Sequence, residues 1–175
     1  TTCDPPMISV ADDSPMVLDA PMRTVSSLVL GDIAIPSDVI LSFPTPLWGF
    51  PAHREFALLP AAREGLWWLQ SMHDGGITFL LADPFVLDPT YAVDLGETER
   101  ADLGIEQPSD VLGLVMLTLP TDAGDSATAN FRAPLVLNLV RRLGMQVVSR
   151  NDAHELRRTV MLDVFPAQPD GIRMA

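Results

Sequence analysis

The chain has 175 residues, 47% of them hydrophobic and 19% charged, a balance that belongs to a folded globular protein and excludes a disordered one. Its formal net charge is −12 and all 11 basic residues are arginine, which excludes mechanisms that need a lysine: a P-loop, a Schiff base or a Ser-Lys dyad. A chain this acidic also opposes direct binding to nucleic acid, whose phosphates call for cations.

Residues 1–21 carry Asp4, Asp12, Asp13 and Asp19, four prolines and no basic residue, and read as a mobile acidic tail. Cys3, the one cysteine, lies there without a partner for an internal disulfide. That fits a reducing compartment. The opening residues lack a basic stretch running into an apolar one, so a cytoplasmic protein is expected. No run reaches the ~18 continuous apolar residues of a membrane-spanning helix, and no membrane partner is expected.

Residues 22–165 read as one domain, with a loose tail over 166–175. Residues 22–43 predict three short strands. Val25, Leu28 and Leu30 begin an apolar set, Gly31-Asp32 supplies a tight turn, and Ile33 to Ile35 resumes it as a hairpin. Pro36 and Ser37 break the pattern before Val39 to Phe43. After the loop 43–51, the runs Phe56 to Leu59, Leu66 to Gln70 and Ile77 to Ala82 are short and apolar, bounded by Gly, Pro or charge, as in buried strands. Residues 83–110 change character, with eight acidic residues against Arg100 alone. Glu97 to Leu103 predicts a short surface helix with Thr98 as its N-cap. Leu112 to Leu119 reads as a fully buried strand, and Thr128 to Phe131, Leu135 to Asn138 and Met145 to Val148 as further strands. About nine short strands with turn signals predict a mainly β fold, a small antiparallel β-barrel-like domain with one or two short helices. The pattern does not decide the topology.

Little in the chain points to catalysis. His53, His73 and His154 are not spaced as metal ligands and have no cysteine to complete a site, so neither metal nor cofactor is expected. There is no G-x-S-x-G elbow, no G-x-G-x-x-G and no calcium-loop spacing around Asp122 and Asp125. Glu97, Glu99 and Asp102 sit in a stretch expected to be solvated, where carboxylates gain little as catalytic acids but can steer a basic protein into contact. Trp67 and Trp68 are adjacent in a strand and point to opposite faces; one is expected in the core, the other under a loop or free for a partner. Asn130 and Asn138 flank Ala133-Pro134 and are expected to pin a strand bend there.

Several segments, in order, resemble the bacterial flagellar assembly factor family FliW: ILSFPTPLWGF at Ile40 to Phe50, WLQS at Trp68 to Ser71, FLLADPFVLDPTY at Phe79 to Tyr91, TANFRAPLVLN at Thr128 to Asn138 and GMQVV at Gly144 to Val148. The resemblance covers residues 23–160 and departs at Thr45 to Trp48, at Ala129 and Phe131, and at His154 to Arg157. It implies a β-barrel-like fold, no catalysis, and two protein partners: flagellin, and the RNA-binding regulator CsrA, whose repression of flagellin translation the family relieves. On this reading Trp68, Tyr91, Glu97, Glu99, Asp102 and Asn130 are the candidate protein-binding residues. The alternative is a small-ligand-binding β-barrel with Trp68, Tyr91 and Asn130 lining its pocket.

Overall fold

The computed structural model describes residues 20–124 and 126–166. The acidic tail expected over most of 1–21, Cys3, Asp125 and the tail expected beyond 166 lie outside the described residues.

Two strands, β1 (Met22–Ser27) and β2 (Gly31–Pro36), form an antiparallel hairpin. Its turn is Leu28 to Leu30, not Gly31-Asp32. Ser27 pairs with Gly31, and the buried Ser27 Oγ accepts from the amides of Val29 (3.2 Å) and Leu30 (3.0 Å), a side-chain turn that competes successfully with the glycine signal. Gly31 closes the turn at φ 76°, a conformation that favours glycine.

Then follow β3 (Ile40–Ser42), β4 (Glu55–Pro60), β5 (Leu66–Ser71), β6 (Thr78–Ala82), β7 (Leu112–Thr118), β8 (Ala127–Asn138) and β9 (Leu143–Gln146). Neighbours pair antiparallel from β3 to β9 through β8. Closure comes from a parallel bridge, Ser42 opposite Leu143, between β3 and β9. The result is a closed seven-stranded barrel. A last strand, β10 (Arg158–Val160), which the sequence pattern did not reveal, adds to the outer part of β8.

Period-two alternation sorts the side chains. Leu41, Phe56, Leu58, Leu69, Leu81, Leu114, Leu135 and Leu137 are buried and pack together inside the barrel. At roughly 1.5–3 kcal/mol per buried side chain, this interior is a major source of stability. The outer face is apolar as well and is covered in three places. The β1–β2 hairpin sets Ile35 against Ile40 and Ala57. Tyr91, Val160 and Phe165 cover Leu66, Leu80, Val115 and Ala129. Leu103 covers Val136, Met145 and Val147. The two tryptophans divide between the faces: Trp67 packs on the inner cluster and Trp68 on the outer, each half-buried.

The two strands expected at 128–131 and 135–138 are one strand. Along β8, residues 131–134 stand opposite the single residue Val115, a wide bulge around Pro134. The bulge finds other partners. Phe131 and Arg132 donate their amides to the Glu155 carbonyl, Ser149 donates to the Arg132 carbonyl, and Val147 donates to the Pro134 carbonyl. Asn130 Oδ1 accepts from the Ala133 amide at 2.9 Å, inside the bulge.

Candidate functional site

The acidic stretch 83–110 runs across the outer face of β7, β8 and β9. It holds two short helices, α1 (Pro84–Leu87) and α2 (Glu97–Leu103). Asp83 caps α1, accepting from the Phe85 amide at 2.9 Å. The N-cap of α2 is Gly96, not Thr98. Glu99 lies three residues on and its Oε2 accepts from the Gly96 amide at 2.6 Å, a carboxylate reaching back to the N-cap residue's own amide where a Thr98 hydroxyl cap was expected. At the other end Gly104 adopts the left-handed conformation, φ 63°, that stops the helix.

Two side chains fix this segment to the barrel. Asn138, buried at the end of β8, donates Nδ2 to the carbonyls of Leu103 (2.9 Å) and Gly104 (3.3 Å), satisfying the C-terminal carbonyls of α2. Tyr91 donates its hydroxyl to the Phe131 carbonyl in the β8 bulge at 2.9 Å and stacks edge-on against the Phe131 ring. Burial raises the Tyr91 phenol above its ordinary pKa. A third anchor is Asp88, whose Oδ2 meets Arg158 at 2.7 Å. The Thr90 hydroxyl, then Arg158, then the Thr90 amide hold its carboxyl at about 2.

The six candidate residues therefore separate. Glu97 and Asp102 are exposed on α2. Glu99 faces back to cap the helix. Tyr91, 4% exposed, is an internal anchor. Trp68 is half-buried in the outer cluster, and Asn130 is spent on the bulge. Asn138, expected to pin a bend, holds α2 instead. Sequence reasoning missed Gly113: a glycine inside an apolar strand signals a close approach or an open space, and here it is space.

Beside α2 lies an apolar groove of about 410 Å³. Its floor is Gly113 and Val136, paired across β7 and β8, and its walls include Phe85, Val93, Ile105 and Val111. Arg100 and Glu106 edge it.

Two serine–histidine pairs occur elsewhere. His53 Nδ1 lies 2.7 Å from Ser71 Oγ, and His154 Nδ1 lies 2.5 Å from Ser149 Oγ. Both serines are buried, and each hydroxyl already accepts backbone amides, those of His73 and Asp74 for Ser71 and that of Asn151 for Ser149. They hold turns together. Among the described residues no group of three or more His, Cys, Asp or Glu could hold a metal, and no helix is long and apolar enough to cross a membrane.

Fold and surface together define a closed β-barrel protein with a solid interior, whose distinguishing chemistry is an acidic flank on the outside. The family model described as "FliW protein" matches residues 24–160. The chain is 36% identical over 127 residues to the flagellar assembly factor FliW of Geobacillus thermodenitrificans, covering 73% of this chain and 88% of that one. It is 29% identical over 140 residues to that of Treponema pallidum, covering 80% and 93%. A crystal structure of the flagellar assembly factor FliW superimposes with a TM-score of 0.73 at 32% identity, covering 84% of this chain and all of that one. The chain belongs to the FliW family of flagellar assembly factors.

Proposed function

We propose that this protein acts in the cytoplasm by binding two proteins, flagellin and the RNA-binding regulator CsrA, and that its binding to CsrA relieves repression of flagellin translation. Free protein then reports how much flagellin remains unexported. The observation that carries the reading is the acidic flank, where Asp94, Glu97, Asp102 and Glu106 are all exposed on a segment anchored to the barrel. An RNA-binding regulator presents cations for phosphates, and a field of opposite sign speeds and orients its encounter with this surface. The alternative of a small ligand pocketed by Trp68, Tyr91 and Asn130 is disfavoured, because Trp68 packs in the outer cluster, Tyr91 is bonded to the Phe131 carbonyl and Asn130 is engaged in the β8 bulge.

Isothermal titration calorimetry against flagellin and CsrA from the same organism tests the proposal. Binding to both is expected. Glu97→Arg with Asp102→Arg should weaken CsrA binding and flatten its salt dependence while leaving flagellin binding intact. Unchanged CsrA affinity in that variant would remove the acidic flank from the contact. Binding to neither partner by folded protein would sink the reading as a whole.

A further inference from the structure

Arg100 is the one cation in the acidic stretch 83–110, and it has no partner there. Most of the carboxylates around it are engaged elsewhere. Asp83 caps α1, Asp88 meets Arg158, and Glu99 reaches back to Gly96. Asp110 accepts the amides of Glu106 and Gln107, and Glu106 pairs with Arg141. Glu97 stands one helical turn before Arg100, where an ion pair across the turn could form. None does: among the described residues Arg100 makes no salt bridge. Its side chain turns instead to the edge of the apolar groove over Gly113.

We propose that this groove binds a small apolar carboxylic acid, with its hydrocarbon part on the floor and its carboxylate at Arg100. Space, lining and charge each contribute. On the outer face of β7, Val115 and Leu117 are buried under covering segments, whereas a Cβ built at Gly113 meets nothing within 4 Å. The volume of about 410 Å³ falls among small-ligand pockets, which run from roughly 300 to 1,000 Å³. Phe85, Val93, Ile105, Val111 and Val136 line it, so the body of the occupant is apolar. Of the two ionic groups at the edge, Glu106 is balanced by Arg141 at 3.3 Å and Arg100 is left over. A guanidinium presents a planar fork that matches a carboxylate oxygen for oxygen. The chain's net charge of −12 opposes an anion at long range. Salt at physiological strength screens that field beyond about 8 Å, whereas the contact with Arg100 and the burial of hydrocarbon act at close quarters. An extended peptide is a poorer occupant, because the floor strands have no free edge: β7 is bonded to β6 and β8, and β8 to β7, β9 and β10.

The test titrates the full chain with decanoate and with its cationic twin, decylammonium, and follows amide and arginine side-chain signals by NMR. Decanoate should bind saturably and shift Gly113, Val136, Ile105 and the Arg100 Nε–H most. Decylammonium should bind at least about tenfold more weakly. Arg100→Gln, a change at an exposed position, should weaken decanoate about tenfold and erase its advantage over decylammonium. Gly113→Leu, which fills the floor, should weaken both ligands about tenfold, the loss of roughly one buried leucine. Equal affinity for the two ligands, unchanged decanoate affinity in Arg100→Gln, or shifts centred away from the groove would each overturn the proposal. So would the absence of saturable binding of both decanoate and naphthoate by folded wild-type protein. Tighter binding of a peptide ending in a free leucine carboxylate, lost when that end is amidated, would assign the groove to a protein C-terminus instead. The proposal does not depend on flagellin or CsrA: failure of either protein to bind leaves the groove standing, and failure of decanoate leaves the proposed function standing.

Discussion

The inside of the barrel and its outer flank are both lined with apolar residues, yet they are finished differently. Inside, Phe43, Phe56, Leu69, Leu81, Leu114 and Leu135 are almost wholly buried, and each strand sends its alternate residues into a closed cluster. On the flank, α2 and the chain around it close over Met145 and Val147 but stop short of Gly113. The interior is packed for stability. The flank is pinned by a few hydrogen bonds and left incomplete. The contrast teaches that hydrophobicity alone does not mark a core; completeness of packing does.

The comparison breaks most severely inside. Phe56→Ala should cost about 3–5 kcal/mol in denaturant unfolding, through lost burial and a residual cavity. A cost below about 1 kcal/mol would mean that the interior is not the source of stability assigned to it. Asn138→Ala leaves the Leu103 and Gly104 carbonyls without a donor and should cost about 1–3 kcal/mol. It should also loosen α2, read as faster hydrogen exchange from Glu97 to Leu103 than in the barrel strands. Tyr91→Phe removes one buried hydrogen bond and should cost about 1 kcal/mol while leaving the ring packing in place.

Asp88 sharpens the comparison through pH. Its folded pKa of about 2 lies below its ordinary 3.8, so the unfolded chain takes up the proton first. The stabilisation is complete above the ordinary value and is lost as pH falls toward 2. Acid unfolding curves of wild type and Asp88→Asn should therefore converge between pH 4 and pH 2, the variant being the less stable at neutral pH. Curves that stayed parallel through this range would remove Asp88 from the set of anchors. The smallest effect is expected for Glu97→Arg with Asp102→Arg: both positions are exposed, and unfolding stability should move by less than about 0.5 kcal/mol.

How legible each region is follows from the same contrast. Strands whose alternate residues enter the interior announce themselves, and β4 to β7 fall within a residue or so of where the apolar runs place them. The β8 bulge reads as a break because Pro134 and the polar Asn130 interrupt the run, although the bulge satisfies its backbone through the chain from Val147 to Glu155. β10 is too short and too polar to carry a pattern; its place depends on Ala127 to Ala129 waiting beside it. The acidic flank and its helix are readable from charge and spacing. The roles of single residues within it are not. Whether Glu99 faces solvent or its own helix end, and whether Tyr91 meets a partner or the Phe131 carbonyl, depends on contacts between residues distant in sequence.

The parallel bridge between Ser42 and Leu143 also bears on the order in which the molecule assembles. β3 to β6 form a meander of near neighbours that can pair as they leave the ribosome, but the seam joins residues about a hundred positions apart. Until β9 emerges, β3 offers a bare edge to any passing strand. During synthesis the open sheet is thus the form most exposed to misassembly, and closure is a late event that waits for β9.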